Sequence, residues 1–299
     1  MSKEATIIGV INSKGGVGKT AISINISHIL SIAGYSVLHV DMDPQGSGSE
    51  LIQPLNNYGS KLSKDDILKL DTFRLISESL EPRQFVFKTK YNNLDIIPNA
   101  RSVDKIFDEG SFAARLAKLP ESSNKYLCFA NNLDRLRCDY DYIIIDSQPS
   151  LDDVLKVTTI ACDYVISPLA PDIQNLRTVS DTLNVIDYCN KKYTRDTSFL
   201  GFFLNNVKNT KSISYKKVHK YYSLNASEYF VQTPIRYSDS IDKAGLSHEL
   251  WMDYFLEHLT IMPNPCKDLL KILYQEFEIL QDEDVDKLMA LGIKEECFQ

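Results

Sequence analysis

A glycine-rich loop near the start of the chain ends in a lysine and a hydroxyl residue, a combination suited to holding phosphate groups. Positions 15–20 read GGVGKT, after a short β-branched run and before a stretch with helical periodicity. Glycines let the backbone curl so that successive N–H groups point at phosphate oxygens, and the N-terminus of the following helix adds positive potential. We expect Lys19 to reach the β- and γ-phosphates of a nucleotide and Thr20 to bind Mg²⁺. The predicted phosphate site consists of Gly15, Gly16, Val17, Gly18, Lys19 and Thr20.

Two apolar runs farther along the chain end in carboxylates. Residues 36–40 are followed by Asp41 and, two positions later, Asp43, while residues 142–145 are followed by Asp146. Open α/β sheets bind ligands where their strands end, so these carboxylates are predicted to face the glycine-rich loop. Two carboxylates separated by one residue can divide the work, one near a hydrated metal ion and one near an attacking water.

Short apolar runs alternate with helical periodicity along most of the chain, which is typical of strands joined by crossover helices. We predict strands at residues 6–12, 36–40, 94–97, 142–145, 164–168 and 199–205. We predict helices near residues 20–33, 102–118, 151–162, 174–190, 211–222 and 267–290. The predicted fold is an α/β, doubly wound, mainly parallel sheet flanked by helices. We expect one domain over residues 1–299, with an acidic helical C-terminal extension from about residue 265.

The net charge of −7 hides a strong local asymmetry. Residues 191–222 contain eight Lys and Arg residues against one Asp, whereas the tail from residue 267 is acidic. A basic stretch can bind nucleic acid by neutralising phosphates, although a solvated, lysine-rich helix face is the alternative interpretation. The sequence has no membrane-spanning apolar run, and its six widely spaced cysteines indicate neither a zinc site nor a disulfide framework. We therefore expect a soluble protein that is not exported.

The motifs around the predicted phosphate site resemble those of one superfamily. Residues 14–20, KGGVGKT, are similar to the deviant Walker A motif of the ParA, MinD and nitrogenase iron-protein ATPases. Residues 40–46, VDMDPQG, resemble the A-prime motif of ParA-type ATPases. Residues 141–150, DYIIIDSQPS, resemble their Walker B strand, with Gln148 in place of the usual first proline. The chain is identified as a member of the ParA/Soj family of deviant Walker A P-loop ATPases, over residues 6 to about 255.

The resemblance implies an ATPase that uses ATP and Mg²⁺ and forms an ATP-dependent homodimer. Lys14 is implied to reach across the dimer to the phosphates bound by the other subunit, as an arginine finger does. Asp43 is implied to activate water, and Asp41 to lie in the surroundings of the metal. Asp146 is implied to hold Mg²⁺ through water, because Mg²⁺ dehydrates reluctantly. Asn206 is implied to contact adenine, although asparagines also cap turns. The implied catalytic residues are Lys14, Lys19 and Asp43, and the implied metal residues are Thr20, Asp41 and Asp146.

Within the superfamily, the sequence favours the DNA-binding branch. No cysteine is placed convincingly for a nitrogenase-type cluster, and the acidic tail differs from the basic amphipathic helix by which MinD-like proteins bind lipid. The resemblance implies non-specific DNA binding, a ParB-like or other adaptor partner, no membrane partner, and a cytoplasmic, nucleoid-associated location. Because the loop begins so near residue 1, we expect no operator-binding domain before it. The predicted DNA-binding residues are Lys208, Lys211, Lys216, Lys217 and Lys220, and, on a partial motif match, Arg236 and Lys243.

The sequence-based prediction is a partition ATPase that segregates a plasmid or chromosome. A ParA-like ATPase that positions another cargo or regulates an assembly, such as flagella, carboxysomes or cellulose-synthesis machinery, is the alternative, because it would use the same ATP cycle. A ligase on the same scaffold, similar to dethiobiotin synthetase, is disfavoured by the DPQG segment at residues 43–46.

Overall fold

A seven-stranded sheet forms the centre of the molecule. The computed structural model describes residues 4–56, 59–70, 73–99, 112–119, 125–149 and 153–298. The strands are β1 (Thr6–Val10), β2 (Val37–Asp41), β3 (Phe87–Lys88), β4 (Leu94–Ile97), β5 (Tyr142–Asp146), β6 (Tyr164–Leu169) and β7 (Ser198–Leu204). Their spatial order is β3-β4-β2-β5-β1-β6-β7, and every neighbouring pair is parallel except β3 with β4. The predicted α/β, mainly parallel fold is confirmed.

Helices flank this sheet. They are α1 (Lys19–Ile32), α2 (Ser47–Ile52), α3 (Lys64–Leu70), α4 (Phe73–Ser77), α5 (Phe112–Ala117), α6 (Lys125–Asp134), α7 (Asp153–Ala161), α8 (Leu176–Tyr193), α9 (Ile213–Asn225), α10 (Asp239–Leu246), α11 (Trp251–His258), α12 (Asn264–Lys271) and α13 (Asp282–Ala290). Short 3₁₀ turns span Pro82–Phe85, Ile173–Asn175 and Glu295–Cys297. The helix predicted at residues 102–118 lies partly outside the described residues, which include its last turns as α5. Within the described ranges, no helix combines the length and the apolar character that crossing a membrane requires.

The central strands are buried on both faces, as a parallel sheet covered by helices requires. Alternate side chains of β1 and β5 point to opposite layers. Ile8 and Ile144 share one core with α1 and α11, whereas Ile7 and Ile143 share the other with α6 and α7. The near-continuous β-branched runs that predicted these strands are therefore explained by burial on two sides.

The carboxyl ends of β1, β2 and β5 meet at one place on the edge of the sheet. In the register of these strands, Asp146 lies beside Val10 of β1 and beside Asp41 of β2. β1 then leads into the glycine-rich loop, and α1 begins at Lys19. The topology thus brings the predicted phosphate and metal residues to a single site.

The C-terminal segment packs into the core that contains α1 and α11. Leu269, Leu273 and Phe298 are buried there. The continuous helix predicted for residues 267–290 is interrupted, because α12 runs into a π-helical turn and Glu278 then adopts a left-handed φ of 52°. A capping box at Gln281 begins α13. The acidic run at residues 282–284 therefore marks a new helix N-terminus, where negative charge is stabilising.

We propose that the chain is a single domain and that this segment is part of its core. Leu269→Ala is then expected to lower the free energy of unfolding by about 3 kcal/mol, because it truncates a fully buried side chain. Leu291→Ala is the matched control: Leu291 is 46% exposed, and its truncation is expected to cost less than about 0.5 kcal/mol. Denaturant unfolding followed by circular dichroism measures both. Two separate unfolding transitions would contradict a single domain.

Candidate nucleotide-binding site

The glycine-rich loop is anchored to β6 by the buried amide of Asn12. Its Nδ2 donates to the carbonyl of Pro168 at 2.9 Å and to Ser167 Oγ at 3.2 Å. Its Oδ1 accepts the backbone N–H of Lys14 at 2.8 Å. Asn12 therefore fixes the start of the loop against the end of a neighbouring strand, a role that was not predicted.

A second amide, that of Asn205, holds the other end of the loop. Its Nδ2 donates to the carbonyl of Val17 at 2.8 Å. Gly18 has a φ of 92°, and a Cβ there would lie 2.2 Å from Asn205 Nδ2, so only glycine fits both the backbone conformation and the space. Sequence reasoning selected Asn206 from this Asn-Asn pair and missed Asn205. The pair itself, at the end of β7, was the signal for both.

Lys19 lies buried at the start of α1, 5% exposed. Its Nζ donates to the carbonyl of Lys14 at 3.0 Å. Burial lowers its pKa, while the nearby carboxylates of Asp146 and Asp43 act in the opposite direction. A cation poised between these carboxylates and the loop can turn toward phosphate oxygens. The structure therefore places Lys19, Asp43 and Asp146 within electrostatic reach of one another.

Lys14 is exposed on the loop, but its side chain is hydrogen-bonded within its own chain. Its Nζ donates to the side-chain oxygen of Asn175, in the 3₁₀ turn before α8. The lysine implied to act across a dimer is therefore directed at a residue of the same protomer.

Asp41 is fully buried and its carboxylate is occupied by donors of the chain. Oδ2 accepts the backbone N–H and the hydroxyl of Ser49 at 2.9 and 2.7 Å, and Oδ1 accepts the N–H of Asp43 at 3.1 Å. Burial raises the pKa of Asp41 to about 7, against the effect of the Ser49 hydrogen bonds. Its assignment to the surroundings of the metal stays a prediction. The contacts indicate that Asp41 positions the segment that carries Asp43.

Asp146 differs from Asp41 in the hydrogen bonds that its carboxylate accepts. Both carboxylate oxygens are buried, and neither accepts a hydrogen bond within the described ranges. Burial raises the pKa of Asp146 well above its ordinary value, as does the adjacent Asp41, while Thr20 and Lys19 act in the opposite direction. A buried carboxylate without a donor, beside a threonine hydroxyl, is suited to an oxygen-binding cation such as Mg²⁺.

A cavity of about 170 Å³ opens beside the loop. Gly16, Gly18 and Ala21 line this cavity, together with Asn206, Tyr237 and other residues. Asn206 has a left-handed φ of 59° and is exposed. The residue predicted to contact adenine therefore lies in a cavity that adjoins the phosphate loop.

The predicted DNA-binding lysines are exposed along the stretch that follows β7, namely Lys208, Lys211, Lys216, Lys217 and Lys220. On α9, Val218 and Tyr222 are buried. Helical geometry therefore directs Lys216, Lys217 and Lys220 to the solvent side of α9.

The two weaker candidates differ from each other. Lys243 is exposed on α10. Arg236 instead forms a bidentate pair with the buried carboxylate of Asp268, with Nη2 to Oδ1 at 2.6 Å and Nε to Oδ2 at 2.9 Å. Its guanidinium is thus engaged with α12 beside the cavity, and its assignment to DNA stays a prediction.

A strand, a phosphate loop and a helix, with carboxylates at the ends of adjacent parallel strands, define the class of P-loop nucleotide-binding proteins. The family model AAA_31, described as an AAA domain, matches residues 5–199. The chain belongs to this family of ParA/MinD-type P-loop ATPases, so the family predicted from the motifs is confirmed.

Sequence relatives agree with this membership, and solved structures share the fold. The chain is 32% identical to the uncharacterized protein MJECL24 of Methanocaldococcus jannaschii over 228 residues, 72% of this chain and 78% of that protein. It is 27% identical to the chromosome partitioning protein ParA of Myxococcus xanthus over 237 residues, 78% and 77% of the two chains. Apo McdA of Cyanothece has a similar fold, with a TM-score of 0.68, 19% identity and coverage of 96% and 100%. So does cobyrinic acid a,c-diamide synthase of Mycobacterium smegmatis, solved with an ATP analogue and magnesium, with a TM-score of 0.65, 23% identity and coverage of 85% and 95%.

The unpartnered Asp146 predicts a pH-dependent instability of the nucleotide-free protein. Because its pKa is raised on folding, the folded state keeps a proton that the unfolded chain has already released, and stability falls as the pH rises above about 4. Asp146→Asn removes this titration. In chelator without nucleotide, the variant is expected to be more stable than the parent by about 1–3 kcal/mol at pH 8 and by less at pH 5.

Denaturant unfolding over this pH range measures the difference. Asp286→Asn, at an exposed carboxylate of α13, is the control and is expected to leave the pH profile unchanged. A variant less stable than the parent at every pH would contradict the idea of an unsatisfied buried charge.

Proposed function

We propose that this protein is an Mg²⁺-dependent ATPase that hydrolyses ATP to ADP and phosphate, dimerises on binding ATP, and binds DNA non-specifically. It segregates a plasmid or chromosome together with a ParB-like partner, in the cytoplasm and in association with the nucleoid. The observation that carries this proposal is the convergence of Lys19, Asp43 and the unpartnered Asp146 on one anchored phosphate loop. Similarity to a chromosome partitioning protein supports the cellular role.

The triphosphate of ATP binds in the loop, with the base in the adjoining cavity. Asn12 anchors the start of the loop to the carbonyl of Pro168 in β6, and Asn205 binds the carbonyl of Val17 near its end. The backbone N–H groups between these two anchors bind phosphate oxygens. Lys19 moves from the carbonyl of Lys14 to the β- and γ-phosphates. Asn206 contacts the adenine edge.

Thr20 and Asp146 hold the metal ion. The buried Asp146 carboxylate lacks a donor among the described residues, and hydroxyl and carboxylate oxygens are ligands that Mg²⁺ prefers. Bound Mg²⁺ neutralises part of the triphosphate charge. Asp41 serves this centre indirectly, by orienting the Asp43 segment.

Asp43 acts on the attacking water. It lies two residues beyond the end of β2, its backbone N–H is bound by Asp41, and its own Oδ1 accepts the N–H of Gln45 at 2.9 Å. A carboxylate that is fixed in this way yet remains partly exposed is suited to orient water and accept its proton. The water oxygen bonds to the γ-phosphorus as the bond from that phosphorus to the ADP oxygen breaks, which gives inorganic phosphate and ADP.

DNA binds through the exposed lysines that follow β7. Their ammonium groups neutralise backbone phosphates, which gives affinity without reading the base sequence. The dimer doubles this surface, so ATP-driven dimerisation raises DNA affinity through effective concentration.

Asp43→Ala is expected to separate ATP binding from turnover. Loss of the base should lower kcat by at least about 100-fold, while the Kd for ATP changes by less than about threefold. Phosphate release and fluorescent-nucleotide titration measure the two quantities. Glu50→Gln is the matched control, because Glu50 is an exposed carboxylate on the neighbouring α2. Normal turnover by Asp43→Ala would contradict the assigned role.

The Lys216→Glu/Lys217→Glu double variant is expected to weaken DNA binding in the presence of ATP. Each lost lysine should reduce the slope of log affinity against log salt by about 1 per subunit. Salt titrations with ATP, with ADP and without nucleotide measure the effect. Lys191→Glu/Lys192→Glu is the matched control. Both residues are exposed at the end of α8, just before β7 begins, whereas the nucleotide site lies where the strands end. DNA binding that is absent or independent of nucleotide would contradict the proposal.

A further inference from the structure

The side chain of Lys14 is tied to its own protomer by a short network of polar contacts. Its Nζ donates a hydrogen bond to Oδ1 of Asn175, and its backbone carbonyl accepts a hydrogen bond from Nζ of Lys19 at 3.0 Å. Its backbone N–H is bound by Asn12. Lys14 therefore has two separate contacts within its own chain. Lys19 binds its backbone carbonyl, and Asn175 binds its side chain.

The side chain of Asn175 is oriented to accept a hydrogen bond from the Lys14 ammonium group. It is 1% exposed, and its Nδ2 donates to the carbonyl of Ala170 at 2.8 Å. That bond fixes the orientation of the amide, because only its oxygen can accept a hydrogen bond from a lysine. Asn175 also occupies the N-cap position of α8, where asparagine commonly caps the helix with its side chain, yet no such cap is formed. Its amide serves Lys14 and Ala170 instead.

We infer that Asn175 is a positioning residue that holds Lys14 against its own protomer until ATP binds. This inference rests on the proposed ATP-driven dimerisation, in which Lys14 reaches the phosphates of the other subunit. The same ammonium group cannot hold both positions, so the contact with Asn175 competes with assembly of the dimer. Asn175 thereby favours the monomer when nucleotide is absent.

Lys19 connects the contact between Lys14 and Asn175 to the binding of nucleotide. When Lys19 turns to the phosphates, it withdraws its hydrogen bond from the Lys14 carbonyl, and one of the contacts that hold Lys14 in place is lost. Binding of ATP therefore loosens Lys14 at the moment when a second nucleotide-bound subunit offers it a phosphate. A ligand that binds the two arrangements differently shifts the balance between them.

The first test measures the reactivity of Lys14 in the nucleotide-free monomer. Limiting acetic anhydride and mass spectrometry report the acetylation rate of Lys14 relative to the exposed Lys217 of the same chain. Asn175→Ala is expected to raise this relative rate by about twofold or more, because a charge-assisted hydrogen bond to the amine is lost. Asn175→Asp keeps an acceptor and adds a negative charge, so it is expected to lower the rate. Gln174→Ala, an exposed neighbour in the same turn, is expected to leave it unchanged.

The second test measures the monomer–dimer equilibrium with a non-hydrolysable ATP analogue by analytical ultracentrifugation. Asn175→Ala is expected to tighten dimerisation by about three- to tenfold, and Asn175→Asp to weaken it. In a Lys14→Ala background, Asn175→Ala should have no further effect, because the competing group is absent. A purely structural role for Asn175 would change dimerisation equally in both backgrounds.

Opposite effects of the two Asn175 variants cannot come from a general loss of folding. Unchanged Lys14 acetylation in Asn175→Ala would overturn the inference, as would an effect on dimerisation that persists without Lys14. A parent protein that stays monomeric with the ATP analogue would instead contradict the proposed function, and the acetylation rates would still show whether Asn175 holds Lys14.

Discussion

The site depends on ionisable groups that the fold removes from water without pairing them fully. Asp41 and Asp146 lie side by side at the ends of β2 and β5, and Lys19 is buried close to Asp146. The chain supplies donors to Asp41 but, within the described residues, none to Asp146. Buried charge of this kind is costly. The two-sided hydrophobic packing of the central strands supplies the stability that tolerates it, and a metal-bound triphosphate is the ligand that would relieve it.

Amide side chains keep the phosphate loop in shape around these charges. Asn12 binds the carbonyl of Pro168, Asn205 that of Val17 and Asn175 that of Ala170. Each amide donates one hydrogen bond to a backbone carbonyl group at or beside the loop. Because neutral amides bring no net charge, they add nothing to the repulsion between Asp41 and Asp146. The shape of the loop is thus fixed by neutral dipoles rather than by additional charges.

The sequence predicts the central part of this arrangement well because local and global signals agree there. Strands β1, β2 and β5 are short, mainly apolar runs that end in a glycine-rich loop or a carboxylate, which is the pattern of parallel strands buried on both faces. Contacts between distant segments carry no comparable local signal. The pairing of Arg236 with Asp268, the binding of Asn205 to the loop and the contact of Lys14 with Asn175 join residues far apart in sequence. The break before α13 had a local signal, the capping box, but helical periodicity on both sides concealed it.

The cavity beside the phosphate loop and the basic stretch share structural elements, so the proposed binding of ATP and of DNA would need no long route of communication. Lys208 follows Asn206 by two residues and lies over the ring of Tyr237, which itself lines the cavity. On the other side, the Tyr222 hydroxyl of α9 donates to the carbonyl of Asp172 at 2.7 Å, three residues before Asn175. A rearrangement of Asn175 or Asn206 on ATP binding would therefore act on α9 or Lys208 through directly adjoining residues. Coupling between sites requires an element whose equilibrium both ligands bias, and the segments that follow β6 and β7 are the ones that adjoin both the cavity and the basic stretch.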